Sequence, residues 1–163
     1  NGAGKSTLLE HIRQQLAHRR DITPGWMPQN YASVLDMDKS ATEHLAAKYT
    51  KAQVTAARTH LGSMKFTHRE MTCPIRQLSG GQKAKLLFLE MVLNNADVLL
   101  LDEPTRNFSP LSAPVVRSAL RAFGGCIISI SHDRRYLAEV CDEVYELKPD
   151  GLHRLRLPEE EEH

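Results

Sequence analysis

The run Val98-Leu99-Leu100-Leu101, closed by Asp102-Glu103, constrains this chain more than any other stretch. Every position in it is apolar, with no inward–outward alternation, and turn residues follow at once. A run of that kind reads as a strand covered on both faces, which belongs to a parallel sheet flanked by helices. Cys126 to Ile130 reads as a second such strand, and Gly25 to Met27, stopped by Pro28, as a third, shorter one. Helical periodicity lies between them. Ser6 to His18 places Leu8, Leu9, Ile12 and Leu16 at helical spacing. Pro110 and Pro114 suit only a helix's first turn, so a helix is predicted to start between them, with Val115, Ala119 and Phe123 lining one face and Gly124-Gly125 ending it. Val144 to Leu147 and Leu152 to Leu155, around Pro149-Asp150-Gly151, predict a terminal hairpin. Strands alternating with helices give an α/β fold with a mainly parallel sheet.

The middle of the chain, about Ser33 to Arg76, is polar with helical signals and reads as a small helical subdomain. Ser40 with Glu43, and Thr50 with Gln53, fit capping boxes, in which side chains satisfy the orphan amides of a helix start. Gly62, after Leu61, fits a helix C-terminus. The whole chain has 163 residues, enough for one domain with a sizeable core. It is 41% hydrophobic and 25% charged, as in soluble globular proteins, and its formal net charge of +1 points to no particular class of partner. No apolar run approaches the roughly 18 residues that direct membrane insertion needs. Cys73, Cys126 and Cys141 include no C-x-x-C pair and read as reduced thiols packed in a cytosolic protein. The histidines form no H-x-x-x-H pair, which argues against zinc. Glu159-Glu160-Glu161-Glu162 reads as a solvated tail or an added remnant.

Three motifs carry chemistry. Asn1-Gly2-Ala3-Gly4-Lys5-Ser6-Thr7 is the second half of a phosphate-binding loop, G-x-x-x-x-G-K-[ST]. Its glycines let backbone N–H groups turn inward around phosphate oxygens, and the helix opening at Ser6 aims its positive end at the same place. Lys5 would reach the β- and γ-phosphates of a nucleotide, and the Ser6 hydroxyl would ligate Mg²⁺. The motif's first glycine would lie two positions ahead of Asn1. Asp102, at the end of its apolar strand, would stand at the sheet's C-terminal edge and hold the Mg²⁺ shell. Glu103, one step on, would position or deprotonate an attacking water. In Leu78-Ser79-Gly80-Gly81-Gln82, Ser79 and Gln82 form a further capping box. A cap does not need two glycines, however. Glycines allow close approach of an anion to a helix start.

At these residues the sequence resembles the ABC ATPases, whose signature is L-S-G-G-Q, and the resemblance covers essentially the whole chain. It implies a P-loop NTPase core with a mainly parallel sheet and a small helical subdomain. It implies ATP and Mg²⁺ as ligands, with Asn1, Gly2, Gly4, Lys5, Ser6 and Thr7 holding nucleotide. Ser79, Gly80, Gly81 and Gln82 would contact the γ-phosphate of ATP bound to a second cassette. Gln29, in Met27-Pro28-Gln29, resembles the glutamine that senses Mg²⁺ and the γ-phosphate; His132, in Ser131-His132-Asp133, resembles the switch histidine. The implied catalytic set is therefore Glu103, His132 and Gln29, and the metal set Ser6, Gln29 and Asp102. The first strands of the family's fold would lie ahead of Asn1, and one of them would sit between Cys126–Ile130 and the strand near Val144–Leu147.

Within the family the chain is similar to the ABC-F proteins, which carry two cassettes, lack membrane domains and act on the ribosome. Three stretches carry this: Arg58, Leu61, Gly62 and Phe66 as R-x-x-L-G-x-x-x-F; Gly25-Trp26-Met27-Pro28-Gln29; and Ser131-His132-Asp133-Arg134-Arg135-Tyr136-Leu137. The expectation is a cytoplasmic ATPase, and the ending soon after the hairpin suggests the second of two cassettes. The alternatives are the ATPase subunit of an ABC membrane transporter and a nucleotide-binding module that does not hydrolyse. Two departures matter. Thr105-Arg106-Asn107-Phe108-Ser109-Pro110 lacks the aspartate of the family's D-loop, which puts coupling between paired sites in doubt. Gln29 also follows Lys5 closely for a transporter, which suggests a trimmed lobe.

Overall fold

A computed structural model of the chain describes residues 3–156. Asn1, Gly2 and the acidic stretch Glu159 to Glu162 lie outside the described residues. Helix α1 (Ala3–Ala17) leads into strand β1 (Pro24–Met27). Helices α2 (Ala41–Ala46), α3 (Lys51–Ser63), α4 (His68–Thr72) and α5 (Gly80–Leu93) follow without an intervening strand. Then come β2 (Val98–Asp102), α6 (Ala113–Arg121), β3 (Cys126–Ile130), α7 (Arg134–Val140), and a hairpin of β4 (Val144–Lys148) and β5 (Gly151–Leu155).

The apolar runs are the strands expected of them. β2 lies in the middle of a three-stranded sheet, paired in parallel with β1 (Trp26 opposite Leu100) and with β3 (Leu101 opposite Ser129). Its residues Leu99, Leu100 and Leu101 are buried, as a strand covered on both faces must be. The hydrophobic core is continuous from these strands into the helices through Leu45, Leu61, Ile75, Leu86 and Leu89.

Side chains set the helix starts. Ser40–Glu43, Thr50–Gln53, Thr67–Glu70 and Ser79–Gln82 form complete capping boxes at α2, α3, α4 and α5. The end of α3 differs from the sequence expectation. Gly62 stays inside the last turn, and Lys65 takes the left-handed conformation, with φ 67°. The Phe66 N–H reaches the Leu61 carbonyl at 2.9 Å and the Lys65 N–H the Gly62 carbonyl at 2.9 Å, the bond pattern of a left-handed helix stop. Burying Phe66 and Leu61 fixes where the chain must turn.

Helix α6 presents another face than expected. Val115 is 70% exposed and Ala119 is also exposed, while Arg117 and Leu120 are buried. The reason is ionic. Arg117 Nε bonds Glu139 Oε2 of α7 at 2.6 Å, and Arg121 bonds the Glu139 carbonyl, so α6 docks on α7 through its arginine face. The three cysteines are free thiols; Cys73 and Cys141 are half-buried, but Cys126, the first residue of β3, is exposed rather than packed.

β3 and β4 do not pair. Between them opens a cleft of 1180 Å³ lined by Leu8 and Ile12 of α1, Ile127 and Ser129 of β3, and Val144 and Leu147 of β4. This is the place to which the resemblance assigns a further strand. Among the described residues, no helix is long and apolar enough to cross a membrane.

Candidate functional site

Because β1, β2 and β3 run parallel, their C-terminal ends open on one edge of the sheet. β2 delivers Asp102 there, 7% exposed. Gly4, Lys5 and Ser6 all lie within helix α1, so the helix is already formed ahead of Ser6. The Ser6 hydroxyl donates to Asp102 Oδ2 at 2.9 Å. The first turn of α1 carries no acidic residue, so the positive end of the helix dipole is left for an outside anion.

Glu103 turns the chain sharply at the strand's end, with φ 55°, a left-handed conformation that side-chain-bearing residues seldom hold. Its N–H donates to the Ile130 carbonyl at 2.8 Å, which ties the turn to β3. Its carboxylate accepts from the His132 N–H at 3.4 Å, and Oε1 lies 3.6 Å from His132 Nε2. Lys5 Nζ lies 3.2 Å from the same Nε2. Lys5, Ser6, Asp102, Glu103 and His132 thus converge from α1, β2 and the end of β3. Asp133, the next residue, caps α7 by accepting from the Arg135 and Tyr136 N–H groups and takes the Thr105 hydroxyl at 2.9 Å on its other oxygen. The motifs assign no task to Thr105 or Asp133. The cap signal of an aspartate directly before Arg134 to Val140 could have found the second.

Gln29 is exposed two residues beyond β1, on the same sheet edge, and no hydrogen bond joins it to Ser6 or Asp102. Thr7 follows Ser6 in α1. Ser79, Gly80, Gly81 and Gln82 form the start of α5, which no hydrogen bond joins to the Lys5 cluster. There Gln82 Oε1 accepts from the Ser79 N–H at 2.8 Å, and Ser79 Oγ accepts from the Gln82 N–H at 3.2 Å. Gln82 Nε2 donates to Glu70 Oε1 at 2.5 Å, so the capping boxes of α4 and α5 are bonded to each other. The Thr67 backbone N–H, then the Thr67 hydroxyl and Gln82, hold the Glu70 carboxyl below the usual carboxylate range.

No group of three or more His, Cys, Asp or Glu that could hold a metal occurs among the described residues. The paired oxygens of Ser6 and Asp102 nevertheless suit Mg²⁺. That ion prefers hard oxygen ligands, keeps several waters, and is usually held by one or two carboxylates plus substrate phosphates.

A family model described as "ABC transporter" matches residues 1–106. ATP-binding cassette sub-family F member 3 of Homo sapiens is 32% identical over 162 residues, covering 95% of this chain and 23% of the relative. Protein GCN20 of Saccharomyces cerevisiae is 30% identical over 152 residues, covering 89% of this chain and 20% of the relative. The chain thus spans less than a quarter of these relatives' length. A dimeric ATP-binding cassette solved in a post-hydrolysis state with ADP and Pi superposes with a TM-score of 0.60 at 20% identity, covering 76% of this chain and 58% of that one. With the parallel sheet, the glycine-bearing α1 start and the Asp102–Glu103 strand end in place, the chain belongs to the ABC family and is similar to its ABC-F members.

Proposed function

We propose that this cassette binds and hydrolyses Mg·ATP as part of a longer, cytoplasmic ABC-F protein. In this reading it works against a second cassette, and the whole protein acts on the ribosome. The observation that carries the reading is the convergence of Lys5, Ser6, Asp102, Glu103 and His132 on one edge of the parallel sheet. Similarity to ABC-F relatives supports the ribosomal part. The helices between residues 33 and 76 serve as the family's helical subdomain.

Each residue has a physical task. The open N-terminus of α1 and the Lys5 ammonium hold the nucleotide's phosphates. Ser6 and Asp102, with Gln29 at the same edge, would hold Mg²⁺, which neutralises phosphate charge when bound. Glu103 orients the attacking water and takes up its proton. His132, whose N–H donates to Glu103 and whose ring can switch partner from Lys5 to a phosphate oxygen, holds the γ-phosphate in line. Ser79 to Gln82 serve ATP held by the second cassette.

In the complete protein, Glu103→Gln should retain ATP binding and lower turnover by about 10²–10⁴-fold. A variant that turns over at the wild-type rate removes Glu103 from this role. One observation favours a second reading, a cassette that binds without hydrolysing: the loop Thr105 to Pro110 lacks the D-loop aspartate. Single-turnover hydrolysis by the complete protein separates the two readings. A second cassette in the same gene supports ABC-F, whereas a neighbouring membrane-domain gene supports a transporter subunit.

A further inference from the structure

The loop after Glu103 does more than leave the sheet. The Arg106 N–H returns to the Glu103 carbonyl at 3.1 Å, and the Phe108 N–H returns to the Thr105 carbonyl at 3.2 Å, so two overlapping turns stiffen the path from Glu103 to Phe108. That path ends against α5. Phe108 and Phe88 of α5 have ring centroids 6.4 Å apart. Asn107 lies over the first turn of α5. A Cβ placed on Gly80 would meet Asn107 Cβ and Cγ at 3.0 Å and Oδ1 at 3.1 Å, and one placed on Gly81 would meet the Asn107 carbonyl oxygen at 3.0 Å. The two glycines therefore make room for this chain's own loop. On its other side Asn107 Nδ2 donates to the Tyr31 hydroxyl at 2.9 Å. Tyr31 is 7% exposed and stands two residues after Gln29, at the head of the short turn Tyr31–Ser33. Burial pushes its phenol's pKa up, and Asn107 is the group that opposes the shift.

We propose that Asn107 and Tyr31 are positioning residues. Together they form a joint that sets Glu103, the start of α5 and the segment after Gln29 relative to one another within a single cassette. The proposal rests on the ATPase reading above. Movement of the α5 start on engaging a partner's nucleotide would press through Gly80 on Asn107. The stiffened loop would carry that displacement to Glu103. The joint contributes to the geometry of the water-activating carboxylate and not to the affinity of the Lys5 site, which it does not touch.

The test is steady-state ATP hydrolysis by the complete protein. Asn107→Ala and Tyr31→Phe should each lower kcat by about 2- to 12-fold, the worth of one net hydrogen bond, with KM for ATP nearly unchanged. The double variant should lose no more than either single one, because both remove the same bond. Gly80→Ala should lower kcat further than Asn107→Ala does, and adding Asn107→Gly should bring it back to the level of Asn107→Ala, by clearing the clashing atoms. Gly81→Ala should not be restored by Asn107→Gly, since the obstructing atom there is backbone. Tyr31→Phe keeps the ring in the core and carries the test if Asn107→Ala does not fold. Wild-type kcat in both single variants, a fall in kcat matched by a rise in KM, or no recovery of Gly80→Ala by Asn107→Gly would each overturn the joint. Failure of the ATPase reading looks different: the wild-type protein would then show no turnover that depends on Glu103.

Discussion

Two helices of this chain begin on glycine-bearing turns, α1 at Gly4 and α5 at Gly80-Gly81, and their surroundings are opposite. The start of α1 faces groups gathered from elsewhere in the chain: Ser6 bonds Asp102, and Lys5 reaches His132. Nothing acidic in its own first turn offsets the dipole. The start of α5 is answered locally. Ser79 and Gln82 satisfy each other, Glu70 takes the remaining amide of Gln82, and Asn107 fills the space above the glycines. A glycine-rich helix start is therefore not in itself a seat for a phosphate. The charged groups converging on it decide, and in this chain they converge on α1. The α5 start is prearranged by bonds within its own chain, which fits the proposed surface that acts on a neighbour's nucleotide.

The comparison can be broken most sharply by exchanging charge at the two starts. In the complete protein, Lys5→Ala should weaken ATP binding by about 10- to 150-fold, the loss of a charge-assisted hydrogen bond. Ser79→Arg should leave that affinity nearly intact and abolish ATP-driven closure of the cassettes, read by fluorescent-nucleotide titration beside small-angle scattering. If binding and closure fall together in Ser79→Arg, the two starts do not have separate tasks.

A smaller effect separates the starts by stability. Ser79→Ala removes a side-chain cap and should lower the unfolding free energy by about 1 kcal/mol. Ser6→Ala removes a bond to Asp102 rather than a cap, so its loss should diminish when Asp102→Asn is already present. A denaturation series in which Ser79→Ala costs nothing would show that the α5 start is held by Asn107 and Glu70 alone.

The smallest effect concerns acid. The Glu70 carboxyl is held below its usual value of 4.5 by accepting hydrogen bonds. A carboxyl depressed on folding stabilises the fold above its unfolded value, and that contribution fades as pH falls through the folded one. Glu70→Gln should thus narrow the gap in denaturation midpoint between about pH 6 and about pH 3. An unchanged gap would mean that Glu70 does not link α4 to α5.

Much of this was legible in the sequence. The apolar run at Val98–Leu101 specifies a buried strand because period and composition agree, whereas Cys126–Ile130 forms its strand but is only half-buried, with Cys126 exposed. Ser40, Thr50 and Ser79 announce their helices through partners three residues on. Thr67 with Glu70 carries the same signal, obscured by the short, polar stretch around it. What escaped depends on tertiary packing. Gly62 looked like the end of α3, but burial of Leu61 and Phe66 forced the turn onto Lys65. Val115 and Ala119 looked like an inward face, but the Arg117–Glu139 pair turned α6 the other way. The cluster of Lys5, Ser6, Asp102, Glu103 and His132 could be ordered along the chain, yet Asn107 could not be connected to Tyr31 or Gly80 before the loop's path was seen.

The backbone of Glu103 has a consequence of an evolutionary kind. A left-handed conformation costs a side-chain-bearing residue roughly 1–2 kcal/mol that glycine does not incur. Glu103→Gly should therefore give a chain that folds more stably while losing the carboxylate. Inactivating changes at this position would escape the quality control that removes unstable proteins. A lineage that no longer needed turnover could discard it here without harming the fold.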